Sequence, residues 1–293
     1  MGKNDKYLIA CDLDGTLLNN ESDISQKTID GIKKIIDQGH IFCIVTGRPL
    51  RGSIHIYEKL GLNTLMANYN GSYISNPSDK KFTPINMTFS KNIVSAILKN
   101  RFIAKNIVNA VVEADNVATV LNSNMDLNIW KSFIDIFHVP IRDMNEKNNT
   151  LNQTNNDINN LIKDANALLL NVNDKALFDS MVYHIKQIAP TLAVRSWSAR
   201  IDDKFEVIEV NSSFADKAMA MKYLSSYYGI PLERCIAFGD GENDLTMLNN
   251  AGYGFAMKNG TRPAKLLARH ITKHTNVENG VVWELEYVLN EKK

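Results

Sequence analysis

The sequence predicts an α/β protein: a parallel sheet with helices on its faces, into which a second domain of different character is inserted. Three observations carry this prediction. Short, continuously apolar segments of strand length alternate with helical patterns at both ends of the chain. Acidic or hydroxyl-bearing clusters stand where several of those segments end. Between residues 83 and 204 the alternation stops.

The elements follow in order. Tyr7–Cys11 is an unbroken apolar run, as expected of a strand covered on both faces. A helix follows with Ser25 as N-cap, Ile29, Ile32, Ile35 and Ile36 on one face, and Gly39 at its end. Ile41–Val45 reads as the next strand, and a helix from about Leu50 closes at Gly61. Thr64–Ala67 reads as a third strand and Asn70-Gly71 as a hairpin turn. The far end repeats the grammar. Val207–Val210 reads as a strand, a helix runs from about Ala215 to Tyr228 and closes at Gly229, and Cys235–Phe238 is again a short strand. From Gly280 a final amphipathic helix places Val282, Leu285 and Leu289 on one side.

The middle is poorer in glycine, holds an Asn-rich stretch over 145–160 that reads as a loop leading into a helix, and contains β-rich pieces such as Ala110–Glu113. Insertion explains why the flanks match each other and the middle does not. The expected boundaries are 1–82 and 205–293 for the two parts of the core and 83–204 for the insert.

Composition narrows the function classes. The chain has 293 residues, of which 44% are hydrophobic and 22% charged, with a net charge of +1. That balance points to neither nucleic acid nor an anionic membrane as partner. No apolar run approaches the roughly 18 residues of a membrane-crossing helix. The opening MGKNDKYLIACDLDG does not read as a signal peptide, because its apolar stretch runs straight into acidic residues. Cys11, Cys43 and Cys235 lie far apart inside apolar runs, with no CxxC or Cys/His spacing, and read as buried free thiols in a reducing cytoplasm.

Four clusters carry chemistry. Asp12-Leu13-Asp14-Gly15-Thr16 follows the first strand directly. Two carboxylates two residues apart at a strand end can face one pocket, one as a nucleophile toward phosphorus and the other as acid and base. An acidic surface turn is the bland alternative, but a turn needs no apolar strand running into its first Asp. Thr46-Gly47-Arg48-Pro49 follows the second strand and offers a hydroxyl and free backbone N–H groups to a phosphoryl group. An ordinary strand-to-helix turn would look similar. Lys217 stands in the first turn of a helix, where most lysines are solvated, yet phosphoryl transfer needs one fixed cation. Gly239-Asp240-Gly241-Glu242-Asn243-Asp244 puts hard oxygen ligands on a tight turn, which suits Mg²⁺ and lacks the order of an EF-hand.

Taken in that order, Asp12, Thr46, Lys217 and Asp240-Asn243-Asp244 resemble the four motifs of the haloacid dehalogenase-like (HAD) superfamily. The inserted middle, Thr46-Gly47-Arg48-Pro49, Asn70-Gly71, Gly254-Phe255-Ala256-Met257 and Glu278-Asn279-Gly280-Val281 resemble its Cof-type (IIB) phosphatase branch. The resemblance implies a Rossmann-like core with an inserted α+β cap, Mg²⁺ as cofactor, and a small phosphorylated metabolite as substrate. It implies Asp12 as nucleophile and metal ligand, and Asp14 as acid/base that also lends its backbone carbonyl to the metal. Thr46, Gly47, Arg48, Lys217 and Asn243 would surround the phosphate, Asp240 would bind Mg²⁺, and Asp244 would support it. Ala218, Phe214 and Lys258-Asn259-Gly260 depart from the family's usual residues without removing a reacting group.

A phosphomutase or phosphotransferase on the same core, and a non-catalytic binding protein on this scaffold, are the alternatives. An ion-pumping ATPase is excluded, because Asp14 stands where it has Thr. His270 and His274 have a zinc-like spacing without further ligands, and Gly252-Tyr253-Gly254 lacks the rest of a dinucleotide fingerprint.

Overall fold

A computed structural model describes residues 6–121, 141–143, 162–172, 174–197 and 206–290. Strand β1 (Leu8–Cys11) is fully buried along its length, as its unbroken apolar run requires. A tight turn leads toward α1 (Gln26–Asp37), where the Ser25 hydroxyl caps the helix by accepting from the Thr28 N–H. Ile32 and Ile35 are buried, Ile29 and Ile36 pack at the margin, and the chain leaves through Gly39 at φ +88°.

After β2 (Ile41–Ile44) the single helix expected from Leu50 to Gly61 is broken. A short turn, Leu50–Gly52, is followed by α2 (Ile54–Lys59). Ser53 lies between them at φ −138° and its hydroxyl donates to the Pro49 carbonyl at 2.8 Å, a local bond that competes with helix continuation. Strands β3 (Met66–Asn68) and β4 (Tyr73–Ser75) pair antiparallel around Tyr69–Gly71, and the two-residue β5 (Ile85–Asn86) follows.

The middle of the chain then forms α3 (Lys91–Lys99), α4 (Arg101–Asn106), β6 (Ile107–Ala114), β7 (Val117–Leu121), β8 (Ile141–Asp143), β9 (Ala167–Val172), α5 (Phe178–Ile188), β10 (Ala193–Trp197) and β11 (Glu206–Asn211). Its six strands run in the order β10-β11-β9-β6-β7-β8, antiparallel except between β7 and β8. Ala110, Val112, Leu168, Leu170, Ile208 and Val210 share a core with helix residues such as Val94, Ile97, Met181 and Ile185. The Asn-rich stretch 145–160 lies outside the described residues.

The last part holds α6 (Lys217–Tyr228), β12 (Cys235–Gly239), α7 (Leu245–Asn250), β13 (Tyr253–Ala256), α8 (Arg262–Leu267), β14 (His270–Ile271) and α9 (Gly280–Asn290). Gly229 closes α6 at φ +64°. The order β14-β13-β12-β1-β2 makes one sheet from both ends of the chain, and every neighbouring pair is parallel. Past β2, Val45 bridges to Ala67, which ties β3 to the edge. The carboxyl ends of β1, β2 and β12 therefore lie side by side. The chain departs in opposite directions on either side of β1, and open α/β sheets bind ligands at such a point.

Two compact units result: Met1–Ile85 with Asp216–Lys293, and Asn86–Ala215. The expectation that the core resumes at 205 is corrected on one strand. β11, read as part of the parallel sheet, pairs antiparallel with β9 and β10 instead, and the boundary moves to 215/216. A short apolar run reports burial on both faces but carries no direction of pairing. Among the described residues no helix is long and apolar enough to cross a membrane.

Helices α1 and α9 pack through a glycine: a Cβ at Gly31 would lie 2.3 Å from Val282 Cγ1, a buried side chain. Gly31→Ala should therefore destabilise the core unit by about 1–3 kcal/mol through overpacking. Chemical denaturation checks this, with a lower midpoint at an unchanged slope as the expected result.

Candidate active site

The end of β1 delivers Asp12, whose N–H extends the ladder to the Phe238 carbonyl at 3.1 Å. The following turn passes Gly15 at φ +70°. A Cβ there would lie 2.2 Å from Asp240 Oδ2, so glycine alone brings the turn this close to the β12 loop. The Thr16 hydroxyl donates to Asp240 Oδ1 at 3.3 Å.

Lys217 is 0% exposed at the first position of α6, and its Nζ lies 2.7 Å from Asp12 Oδ1 and 2.7 Å from Asp244 Oδ1. The helix start is fixed by Asp216, whose carboxylate accepts from the Ala218 and Met219 N–H groups. Asp244 is also fully buried. Its second oxygen accepts from the N–H groups of Asp240 (3.0 Å) and Gly241 (2.9 Å), so this carboxylate folds the loop as well as facing the lysine. Gly239 makes room for it, since a Cβ there would lie 2.4 Å from Asp244 Cγ.

Carboxylate oxygens of Asp12, Asp240 and Asp244 lie within 4.8 Å of one another. Lys217 pairs with two of the three, Asp12 and Asp244. Burial alone pulls the Lys217 ammonium down, but Asp12 and Asp244 outweigh it and hold the group charged, above its ordinary value. Burial raises the Asp12 carboxyl well above the usual range, opposed by Lys217 and reinforced by Asp244, Asp240 and Asp14. Three clustered hard oxygen donors fit a small divalent cation such as Mg²⁺. Asp12 and Asp240 would hold it.

Arg48 pairs with Asp14. Its side chain is 2% exposed, and Nε and Nη2 donate to the two oxygens of Asp14 at 2.7 and 2.5 Å, while Nη1 donates to the Gly52 carbonyl. The fork thus engages Asp14, whose side chain is 52% exposed. Thr46 is fully buried, and its hydroxyl accepts from the Arg48 N–H at 3.1 Å. Gly47 lies beside a pair that spacing did not reveal: Asn243 Nδ2 donates to Asn70 Oδ1 at 2.9 Å. Asn259 is a second such residue, and its amide donates to the Gly15 carbonyl at 2.7 Å. Both bonds join residues far apart in sequence.

The remaining candidates have structural roles. His270 stacks on Phe255 and Tyr253, and His274 stacks on Trp283. Among the described residues Asp12, Asp240 and Asp244 are the group suited to a metal. Gly252 and Gly254 let backbones meet, since a Cβ on either would lie 2.2 Å or closer to the Glu233 or Leu248 carbonyl oxygen. The three cysteines are free and buried, and burial pushes Cys43 up to about 12.

A family model described as haloacid dehalogenase-like hydrolase matches residues 9–285. The chain belongs to the haloacid dehalogenase-like hydrolases. A 5-amino-6-(5-phospho-D-ribitylamino)uracil phosphatase of Bacillus subtilis is 34% identical to this HAD protein over 94% of each chain. A second B. subtilis protein of the same name is 26% identical over 96% of this chain and 98% of the relative. Among solved structures, a haloacid dehalogenase-like hydrolase from Bacteroides thetaiotaomicron superposes with a TM-score of 0.77 at 25% identity, covering 97% of this chain and all of that one. The HAD fold, the Cof-type branch and the phosphatase class follow from these likenesses.

The acidic cluster makes a thermal prediction. Mg²⁺ at a hundredfold its Kd should stabilise the wild type by about 2.7 kcal/mol, a rise of a few degrees in melting temperature, and Asp240→Ala should lose it. Asp12's raised value sets the sign with pH. The metal-free native state binds a proton more readily than the unfolded chain, so acidification favours that form and competes with the cation. The Mg²⁺-induced shift, read by calorimetry, should shrink as pH falls.

Proposed function

We propose that the protein is a Mg²⁺-dependent phosphomonoester hydrolase that works through an aspartyl-phosphate on Asp12. The observation that supports this most is the Lys217 ammonium at 2.7 Å from both Asp12 and Asp244, with Asp240 beside them. Phosphate monoesters hydrolyse so slowly unaided that enzymes supply up to about 10²¹-fold acceleration. Most of it must come from positioning and from neutralising charge.

In this reading an oxygen of Asp12 attacks phosphorus as the bond to the leaving alkoxide breaks. Asp14, in its protonated form, gives that oxygen a proton, and the alcohol departs. Asp14 then takes a proton from water, whose oxygen attacks the aspartyl-phosphate. Inorganic phosphate leaves and Asp12 is restored. Lys217 offsets the repulsion between the Asp12 carboxylate and a phosphate dianion. Thr46, Gly47 and Asn243 are assigned to the phosphoryl oxygens. Mg²⁺, when bound by Asp12 and Asp240 with the Asp14 carbonyl, supplies further charge neutralisation at the phosphoryl group. Asp244, committed to Lys217 and to two loop N–H groups, supports the ligands.

The relatives' names make a phosphorylated ribitylaminouracil the first metabolite to try. Hydrolysis of p-nitrophenyl phosphate should require Mg²⁺, stop with EDTA, and be abolished by Asp12→Asn. Asp14→Asn should lower kcat by about 10²–10⁴-fold. The same assays with 5-amino-6-(5-phospho-D-ribitylamino)uracil then test the substrate. Activity retained in Asp12→Asn would remove the nucleophile assignment. Phosphoryl transfer to an added sugar in preference to water would favour a phosphotransferase.

A further inference from the structure

Three consecutive residues between β3 and β4 hold positive φ: Tyr69 at +48°, Asn70 at +56° and Gly71 at +99°. Such backbone is unfavourable for residues with side chains, bulky ones above all, and it persists only where the surroundings fix it. Here they do. The Asn70 N–H donates to the Thr46 carbonyl at 2.9 Å, and the Tyr69 N–H donates to the Arg48 carbonyl at 3.2 Å. A Cβ on Gly71 would lie 3.0 Å from the Asp216 carbonyl oxygen and 2.9 Å from Ala220 Cβ, so the turn is seated on the start of α6, next to Lys217. Its third contact is the bond from Asn243 Nδ2 to Asn70 Oδ1. One turn thus touches the Thr46–Arg48 loop, the Lys217 helix and the Asn243 loop.

A hairpin needing only a tight turn would be served as well by glycine at position 70. Asparagine adds a carboxamide, and that group is turned onto Asn243. A Cβ on Gly47 would lie 3.3 Å from Asn70 Oδ1 and 3.7 Å from Asn243 Nδ2, so the amide pair is bounded by the loop assigned to the phosphate. A side-chain amide carries two N–H groups. Holding one of them fixes the plane of the Asn243 amide, and with it the direction of the second.

We infer that Asn70 is a positioning residue for phosphoryl transfer: its carboxamide orients Asn243, and the left-handed turn exists to present it. This inference rests on the phosphatase reading of the same site, in which Asn243 faces the phosphoryl group. Asn70→Gly tests it, because glycine keeps the backbone conformation while removing the carboxamide that accepts from Asn243. With Mg²⁺ and p-nitrophenyl phosphate, kcat/KM should fall about tenfold, roughly what one such hydrogen bond is worth. The variant should still melt cooperatively. Asn243→Ala should show a comparable or larger loss, and adding Asn70→Gly to it should cost less than a further twofold, since the acceptor then has nothing to orient.

Three results would overturn the inference: Asn70→Gly within twofold of the wild type, losses that multiply in the double variant, or an Asn70→Gly chain that no longer folds. The last would make the side chain a structural prop. A wild-type protein that hydrolyses no phosphomonoester would remove the parent reading and this one with it. An active wild type with a neutral Asn70→Gly removes this one alone.

Discussion

A lysine ammonium withdrawn from water must have its charge met by the protein, and at Lys217 that requirement organises the core unit. Its Nζ lies 2.7 Å from carboxylates that arrive on two different strand ends, Asp12 after β1 and Asp244 after β12. An uncompensated buried charge costs several kcal/mol, so none of the three groups is stable there alone. The parallel pairing of β1 with β12 brings the two loops together. Gly15 and Gly239 allow them to close, because a side chain on either would occupy the space of an aspartate. The sheet, the glycines and the ion cluster are one solution to a single electrostatic constraint.

The same constraint explains why the cluster suits phosphoryl chemistry. Three carboxylates gathered around a buried lysine make a place where a divalent cation would ease the approach of a phosphate dianion. Arg48 adds a separate balance at the rim of the cluster. Its guanidinium is buried while the side chain of its partner Asp14 is 52% exposed, so that carboxylate stays accessible to water yet held in direction.

Much of this was legible in the sequence because the chemistry fixes residue types at strand ends. Asp12 stands directly after an apolar run and Asp240 one glycine after another, with Asp14 and Asp244 close behind, and an apolar run that stops at an acid is informative without any fold. Ser25 and Gly39 likewise mark the ends of α1 through local rules alone. What was not legible depends on partners remote in the chain. Asn70 was readable as a turn residue, since asparagine tolerates left-handed backbone, but its bond to Asn243 spans 173 positions. The Arg48–Asp14 pair is invisible locally for the same reason, since its partners lie 34 positions apart. The sheet that β11 joins is not legible locally, because Val207, Ile208 and Val210 carry no sign of parallel or antiparallel pairing.

In the proposed mechanism Asp12 is the covalent carrier of the phosphoryl group. The most direct measurement is trapping in Asp14→Asn with p-nitrophenyl phosphate, whose leaving group departs without a proton, so that loss of the base slows release of the acyl phosphate and lets it accumulate. After reaction with substrate and Mg²⁺, acid quench and borohydride reduction convert a phosphorylated aspartate to homoserine, which peptide mass spectrometry locates. Homoserine at position 12, formed on the timescale of product release, is the result the account predicts. Unmodified Asp12 throughout turnover, or the phosphoryl group on another side chain, would contradict it.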